Sequence, residues 1–116
     1  MLFPAAAAAL DPLGIAFLEL REPGPDGTFG RSTRPPVAPL IRDAFRGVLV
    51  LNSDYDLARG QAVLADGGAD AIAFGRKFLA NPDLPRRFAQ RLALNEDDPK
   101  TWYSQGPEGY VTYPTA

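Results

Sequence analysis

Two places in the sequence join an apolar run to a polar exit, the arrangement that lets a chain hold an anion. The run "ADAIAF", Ala69 to Phe74, ends in Gly75-Arg76, and "GVLVLN", Gly47 to Asn52, runs on into Ser53-Asp54-Tyr55. A glycine lets backbone N–H groups approach a ligand closely, and an arginine offers a planar fork of donors. Gly75 with Arg76 therefore suits a phosphate. A bare Gly-Arg pair suits a surface turn equally well, so by itself the pair leaves both readings open.

Composition narrows the remaining chemistry. The chain has 116 residues, no histidine, no cysteine and a net charge of -2. Without cysteine there are no disulfides, thiolate metal sites or thiol nucleophiles. Without histidine, the commonest general acid/base, any reaction falls to carboxylates, Lys, Tyr, Ser or a cofactor. Glu19, Glu22, Asp26, Asp56, Asp70, Asp83, Glu96, Asp97, Asp98 and Glu108 read as caps or solvated groups, with Glu22 at a strand exit the least secure of these. No catalytic residue and no metal ligand is assigned. Arg86, Arg87 and Arg91 read as the solvated face of a helix. The charge balance gives no bias toward nucleic acid or membrane, and the apolar N-terminus lacks a basic leader and is broken by Pro4 and Asp11. The expectation is a cytoplasmic protein.

Both polar exits need a scaffold, and the rest of the sequence supplies one. The N-terminus reads as an Ala-rich helix followed by a Pro-Leu-Gly break. Gly14 to Glu22, Gly47 to Asn52 and Ala69 to Phe74 read as three buried strands, apolar along their length. Val37 to Phe45 and Asp54 to Ala65 read as helices between them, the second with Leu57, Val63 and Leu64 inward and Ser53 or Asp54 as cap. Pro23 to Pro36 is too rich in Pro and Gly for regular structure. Asn81-Pro82 reads as the cap and first residue of a last helix bearing Leu84, Phe88 and Leu92, with "KFLANP" as a short extra helix before it. Beyond Asn95 lies an irregular tail holding Trp102, Tyr103, Tyr110 and Tyr113. These aromatics suit either a lid over a flat ligand or pins for the tail.

This alternation predicts an α/β chain whose three strands are parallel, adjacent and in sequence order. Three such strands leave two edges unpaired, so the chain reads as part of a larger parallel sheet. A doubly wound fold and the last portion of an eight-stranded β/α barrel both fit. Each places its ligands at the carboxyl ends of the strands, where Ser53-Asp54 and Gly75-Arg76 fall.

"AFGRKFLANPDLPRRF" followed by "TWYSQGPEGYVTYPT" resembles the C-terminal part of the Old Yellow Enzyme family, the FMN-dependent ene and nitroester reductases. The resemblance runs through the chain: "GIAFLELREP", "FRGVLVLNSDYD" and "ADAIAFGR" look like strands six, seven and eight of that family's TIM (β/α)8 barrel. It implies one partial barrel domain over residues 1–116, the last three β/α units plus an irregular tail, with no second domain. It further implies that Gly75 and Arg76 hold the FMN phosphate beside backbone groups of Ser53 and Asp54. Trp102 would lie by the flavin's dimethylbenzene edge and Tyr103 on the substrate side, with NAD(P)H as reductant and an activated alkene or nitro compound as the small-molecule substrate. Many relatives carry a Gly pair where this chain has Ser53-Asp54, and often Gly-Gly-Gly where it has Ser104-Gln105-Gly106. A complete member is about three times as long, so the expected partner is a missing N-terminal barrel part or a companion chain. The resemblance also admits a non-catalytic phosphate-binding fragment, inactive alone, and it leaves the oligomeric state open.

Overall fold

Alanine at positions 5 to 9 gives the chain its first helix, α1 (Leu2–Leu10), because alanine loses no side-chain entropy on becoming helical. Pro4 falls in the first turn, where its missing N–H leaves no bond unmade. The helix tightens into a 3-10 turn over Asp11–Leu13 and stops at Gly14, whose φ of 65° is the left-handed conformation that favours glycine. The computed structural model describes residues 1–116 and forms two compact units, Met1–Ala73 and Phe74–Ala116.

In the first unit the chain continues through β1 (Leu18–Arg21), α2 (Ala38–Ala44), β2 (Leu49–Asn52), α3 (Leu57–Ala65) and β3 (Ala71–Ile72). The strands form one parallel sheet in the order β1-β2-β3, as the sequence predicts. They are shorter than the apolar runs that suggested them. β1 also alternates rather than staying apolar: Leu18 and Leu20 are half-buried while Glu19 and Arg21 are exposed. Register explains this, since Leu18 pairs with Leu49, Leu20 with Leu51, and Leu51 with Ile72. A period of two puts these side chains on one face of the sheet. There they pack with Ala7, Ile41, Phe45 and Ala69 into the core, in which Leu49 and Phe45 are almost fully buried. Val63 joins this core from α3, but Leu64 is exposed rather than inward.

Carboxylates fasten the helices to the sheet. Glu22, one residue past β1, accepts the Val37 and Ala38 N–H groups at 2.6 and 3.1 Å and so satisfies the start of α2. Asp11 accepts the Arg46 N–H at 2.7 Å and the Arg46 guanidinium at 2.7 and 2.9 Å, tying the end of α1 beyond α2. Asp70 accepts the Leu49 N–H and the Arg42 guanidinium, both at 2.8 Å. Arg42 also donates to the Phe45 and Gly47 carbonyls, closing a knot between α2, β2 and the entry to β3.

The second unit contains α4 (Arg76–Ala80), α5 (Leu84–Gln90) and the irregular tail. Here the expected cap changes hands. Asp83, not Asn81, is the N-cap of α5, and Pro85 rather than Pro82 lies in its first turn. Asn81 is fully buried and works as a pin: its Nδ2 donates to the Lys77 and Asn95 carbonyls at 2.8 and 3.3 Å, and its Oδ1 accepts the Asn95 N–H at 2.7 Å. Arg87 is likewise buried, not solvated. It donates to Asp83 Oδ1 at 2.7 Å and to the Ala93 and Pro114 carbonyls at 2.5 and 2.9 Å. Leu84 is buried and Phe88 meets Phe74 edge-on at 5.2 Å between ring centroids, while Leu92 lies beyond the helix end, partly exposed.

These ties have measurable consequences. Hydrogen bonds from Leu49 N–H and Arg42 hold the Asp70 carboxyl below its ordinary pKa, and the Arg46 N–H and guanidinium do the same to Asp11. A carboxylate whose folded pKa is lowered binds more protons when unfolded, so its stabilisation is present above the ordinary aspartate value of 3.8. That stabilisation drains away as pH falls toward the lowered folded value. Thermal melts across this range should show stability falling with acid, and Asp70→Asn should flatten the curve. In the second unit, Arg87→Met should lower the melting temperature far more than Arg86→Met, because it strands a carboxylate and two carbonyls that Arg87 now satisfies.

Candidate functional site

At the carboxyl end of β2 the backbone takes an uncommon path. Ser53 has a φ of 108° and Asp54 a φ of 52°, consecutive positive values at residues that carry a Cβ. Such conformations favour glycine. Side chains hold the turn in place. Asn52 Oδ1 accepts the Ser53 N–H at 2.7 Å, and Asn52 Nδ2 donates to Glu19 Oε1 at 2.8 Å. Asp54 turns its carboxylate to the long loop, accepting the Thr28 N–H and hydroxyl at 3.0 Å each.

Neither Ser53 nor Asp54 caps the helix that follows. The N-cap of α3 is Asp56, in extended conformation, and it accepts the Arg59 N–H at 2.8 Å. The cap lies two residues beyond Asp54 and three beyond Ser53, because this positive-φ pair takes up the chain directly after β2. The Asp54 carboxylate thus ties the turn after β2 to the long loop at Thr28.

In the second unit, Gly75 is the N-cap of α4, and its carbonyl accepts the Phe78 and Leu79 N–H groups at 3.0 and 2.9 Å. A Cβ added to Gly75 would meet nothing within 4 Å, so this backbone borders open space. The Arg76 guanidinium lies over the Trp102 ring, 5.6 Å from its centroid. An arginine over an indole is attracted by the ring quadrupole, and a guanidinium held in this way still donates through its edge.

The structure thus brings two of the sequence-predicted residues together across 26 positions of sequence, Arg76 and Trp102. It separates Trp102 from its neighbour in role: Trp102 is half-buried while Tyr103 is 89% exposed. In the tail, Tyr113 is a pin, its hydroxyl accepting the Asp98 N–H at 2.9 Å, whereas Tyr110 is exposed. Sequence reasoning overlooked the buried pair Asp83–Arg87, whose spacing of four on a helix was the available signal. Arg87 holds the Asp83 carboxyl below its ordinary pKa. No cluster of acidic side chains could hold a metal ion, and no helix is long and apolar enough to cross a membrane.

The turn after β2 yields a stability prediction. Ser53→Gly relieves a strained φ at the cost of a floppier unfolded chain and should stabilise the protein by roughly 0.5 to 2 kcal/mol in chemical denaturation. Asp54→Gly should not stabilise, because it also removes both acceptors of Thr28.

Comparison with known proteins gives three informative matches. A putative 12-oxophytodienoate reductase from Oryza sativa subsp. japonica is 40% identical over 112 residues, covering 90% of this chain and 35% of the relative. The solved structure of an old yellow enzyme homologue from Zymomonas mobilis is 52% identical with a TM-score of 0.93, covering 97% of this chain and 32% of that one. Morphinone reductase is 45% identical with a TM-score of 0.87, covering 97% and 30%. The chain therefore spans about a third of the length of the relatives it matches. No family model matches it.

Proposed function

Since the chain belongs to the Old Yellow Enzyme family and matches a C-terminal portion of it, we propose that it supplies the flavin-phosphate site of an FMN-dependent NAD(P)H oxidoreductase. In this reading residues 1–116 are one partial barrel domain, and β1, β2 and β3 are strands six, seven and eight of the TIM barrel. The observation that carries it is Arg76 set over Trp102 beside the open backbone of Gly75.

The residues present fit the group. Arg76 would grip the phosphate oxygens with its fork, and Gly75 would let the backbone approach them. Trp102 would steady the guanidinium, and its remaining edge would face the flavin's dimethylbenzene end. The family resemblance alone assigns backbone groups of Ser53 and Asp54 to the same phosphate; within the first unit the Asp54 carboxylate is held by Thr28. Tyr103, exposed beside Trp102, would lie on the substrate side. FMN, when bound, would supply hydride-transfer chemistry, with NAD(P)H as reductant and an activated alkene or nitro compound as substrate. The chain itself contributes binding and orientation and no catalytic residue, since it has no histidine to hold a substrate carbonyl. The rest of the barrel, whether covalently joined or a companion chain, is the partner this role requires.

Replacing the matching third of the Zymomonas mobilis protein with this chain provides the test. The chimera should purify with bound flavin. Arg76→Ala should weaken FMN affinity roughly tenfold to a hundredfold, as expected when charge-assisted hydrogen bonds of about 1.5 to 3 kcal/mol are lost. Arg76→Lys should recover only part of it, because an ammonium lacks the fork. Equal FMN affinity in the Ala variant and the parent would make Arg76 a surface residue of the turn.

A further inference from the structure

The first unit also has an opening lined by none of the residues assigned a role in the function proposed above. It is a cavity of about 340 Å³ beneath the loop that joins β1 to α2, at the carboxyl ends of β1 and β2. Leu20, Leu51, Pro23, Pro36 and Ala38 give it apolar walls. Arg34, Arg59, Ser32, Thr33 and Tyr55 bring polar groups to the same space. Apolar walls with a few convergent polar groups are the usual make-up of small-molecule sites, and this volume is at the lower end of their range.

The charges of the cavity decide what it would take. Two arginines, Arg34 and Arg59, are among its lining residues against one acidic residue, Glu22. Both Glu22 oxygens already accept backbone N–H groups, from Val37 and Ala38, so its charge is partly offset by the start of α2. Arg59 is held in advance: it lies over the Tyr55 ring at 4.8 Å from the centroid and donates to the Asp54 carbonyl at 3.3 Å. A guanidinium fixed in this way loses little freedom on binding an oxyanion. Burial raises the Tyr55 hydroxyl pKa further above neutrality, so the phenol stays protonated and able to donate.

We infer that this cavity binds a small organic acid, its carboxylate or phosphate between Arg34 and Arg59 and its apolar body against Leu20, Leu51 and Pro36. The ligand is compact and carries one anionic head. A bare inorganic anion would leave the apolar walls wet, and a neutral hydrocarbon would leave the two arginines without a counter-charge.

Backbone amide shifts of the 116-residue protein, followed by NMR during titration with benzoate, phenyl phosphate, inorganic phosphate and benzyl alcohol, test the inference. Benzoate or phenyl phosphate should bind saturably, moving Leu20, Leu51 and Tyr55 together. Inorganic phosphate and benzyl alcohol should each bind at least about tenfold more weakly, since each lacks one half of the recognition. Arg59→Ala and Arg34→Ala should each weaken binding about tenfold, with Arg59→Lys intermediate and an unchanged remainder of the spectrum showing that the fold persists. Arg76→Ala should leave this binding untouched, which separates the cavity from the proposed flavin-phosphate site. Shifts confined to the arginines, equal binding of inorganic phosphate, or loss of binding in Arg76→Ala would each overturn the inference.

Discussion

The register of three parallel strands governs everything built around them. With Leu18 beside Leu49, and Leu20 beside Leu51 beside Ile72, one sheet face is committed to the helices. A slip of one residue would turn Glu19 and Arg21 into the core and Leu18 and Leu20 out of it. The same register sets Arg21 beside Asn52 at the carboxyl ends of β1 and β2. The polar turn after β2 is thus placed by the apolar pattern of the strands before it.

Side-chain carboxylates then convert this sheet into a layered unit. Glu22, Asp11 and Asp70 each bond a backbone N–H in another segment, and Asp11 and Asp70 add an arginine. Such groups lock the connections between elements more than they drive folding, since hydrogen bonds and exposed ion pairs contribute modestly in water. Hydrophobic burial of Phe45, Leu49, Leu51 and Ile41 stabilises the unit more than these bonds do. The carboxylates decide where the loops run, and the candidate binding groups stand in loops and in the first turns of helices, Arg59 in α3 and Arg76 in α4.

The roles proposed for this chain therefore rest on positioning, not on reactive side chains. Ser53 and Asp54, both at positive φ, form the turn after β2, and the Asp54 carboxylate is aimed at Thr28. Trp102 holds the plane of Arg76, and Tyr55 that of Arg59. In both places a guanidinium lies over an aromatic ring, a low-entropy way of presenting the fork that the proposed anion binding requires.

The order and direction of the strands, the break after α1 at Gly14, and the pairing of a short helix with Gly75-Arg76 were all legible in the sequence. Each of these is local: apolar runs, Pro and Gly, and the handedness of crossovers specify them without distant partners. The family resemblance was legible too, because two separated motifs stand in the right order. Which polar groups are buried emerged only from packing. Asn81 reads as a cap and Arg87 as a surface residue until Asn95, Ala93 and Pro114 come to them from the tail. The cap of α3 is Asp56, beyond Ser53 and Asp54, which adopt positive φ values that their side chains disfavour. Glu22 acquired its role from N–H groups 15 and 16 residues away. A polar side chain's role depends on what faces it, and that is set by the folded chain, whereas an apolar run signals its own burial.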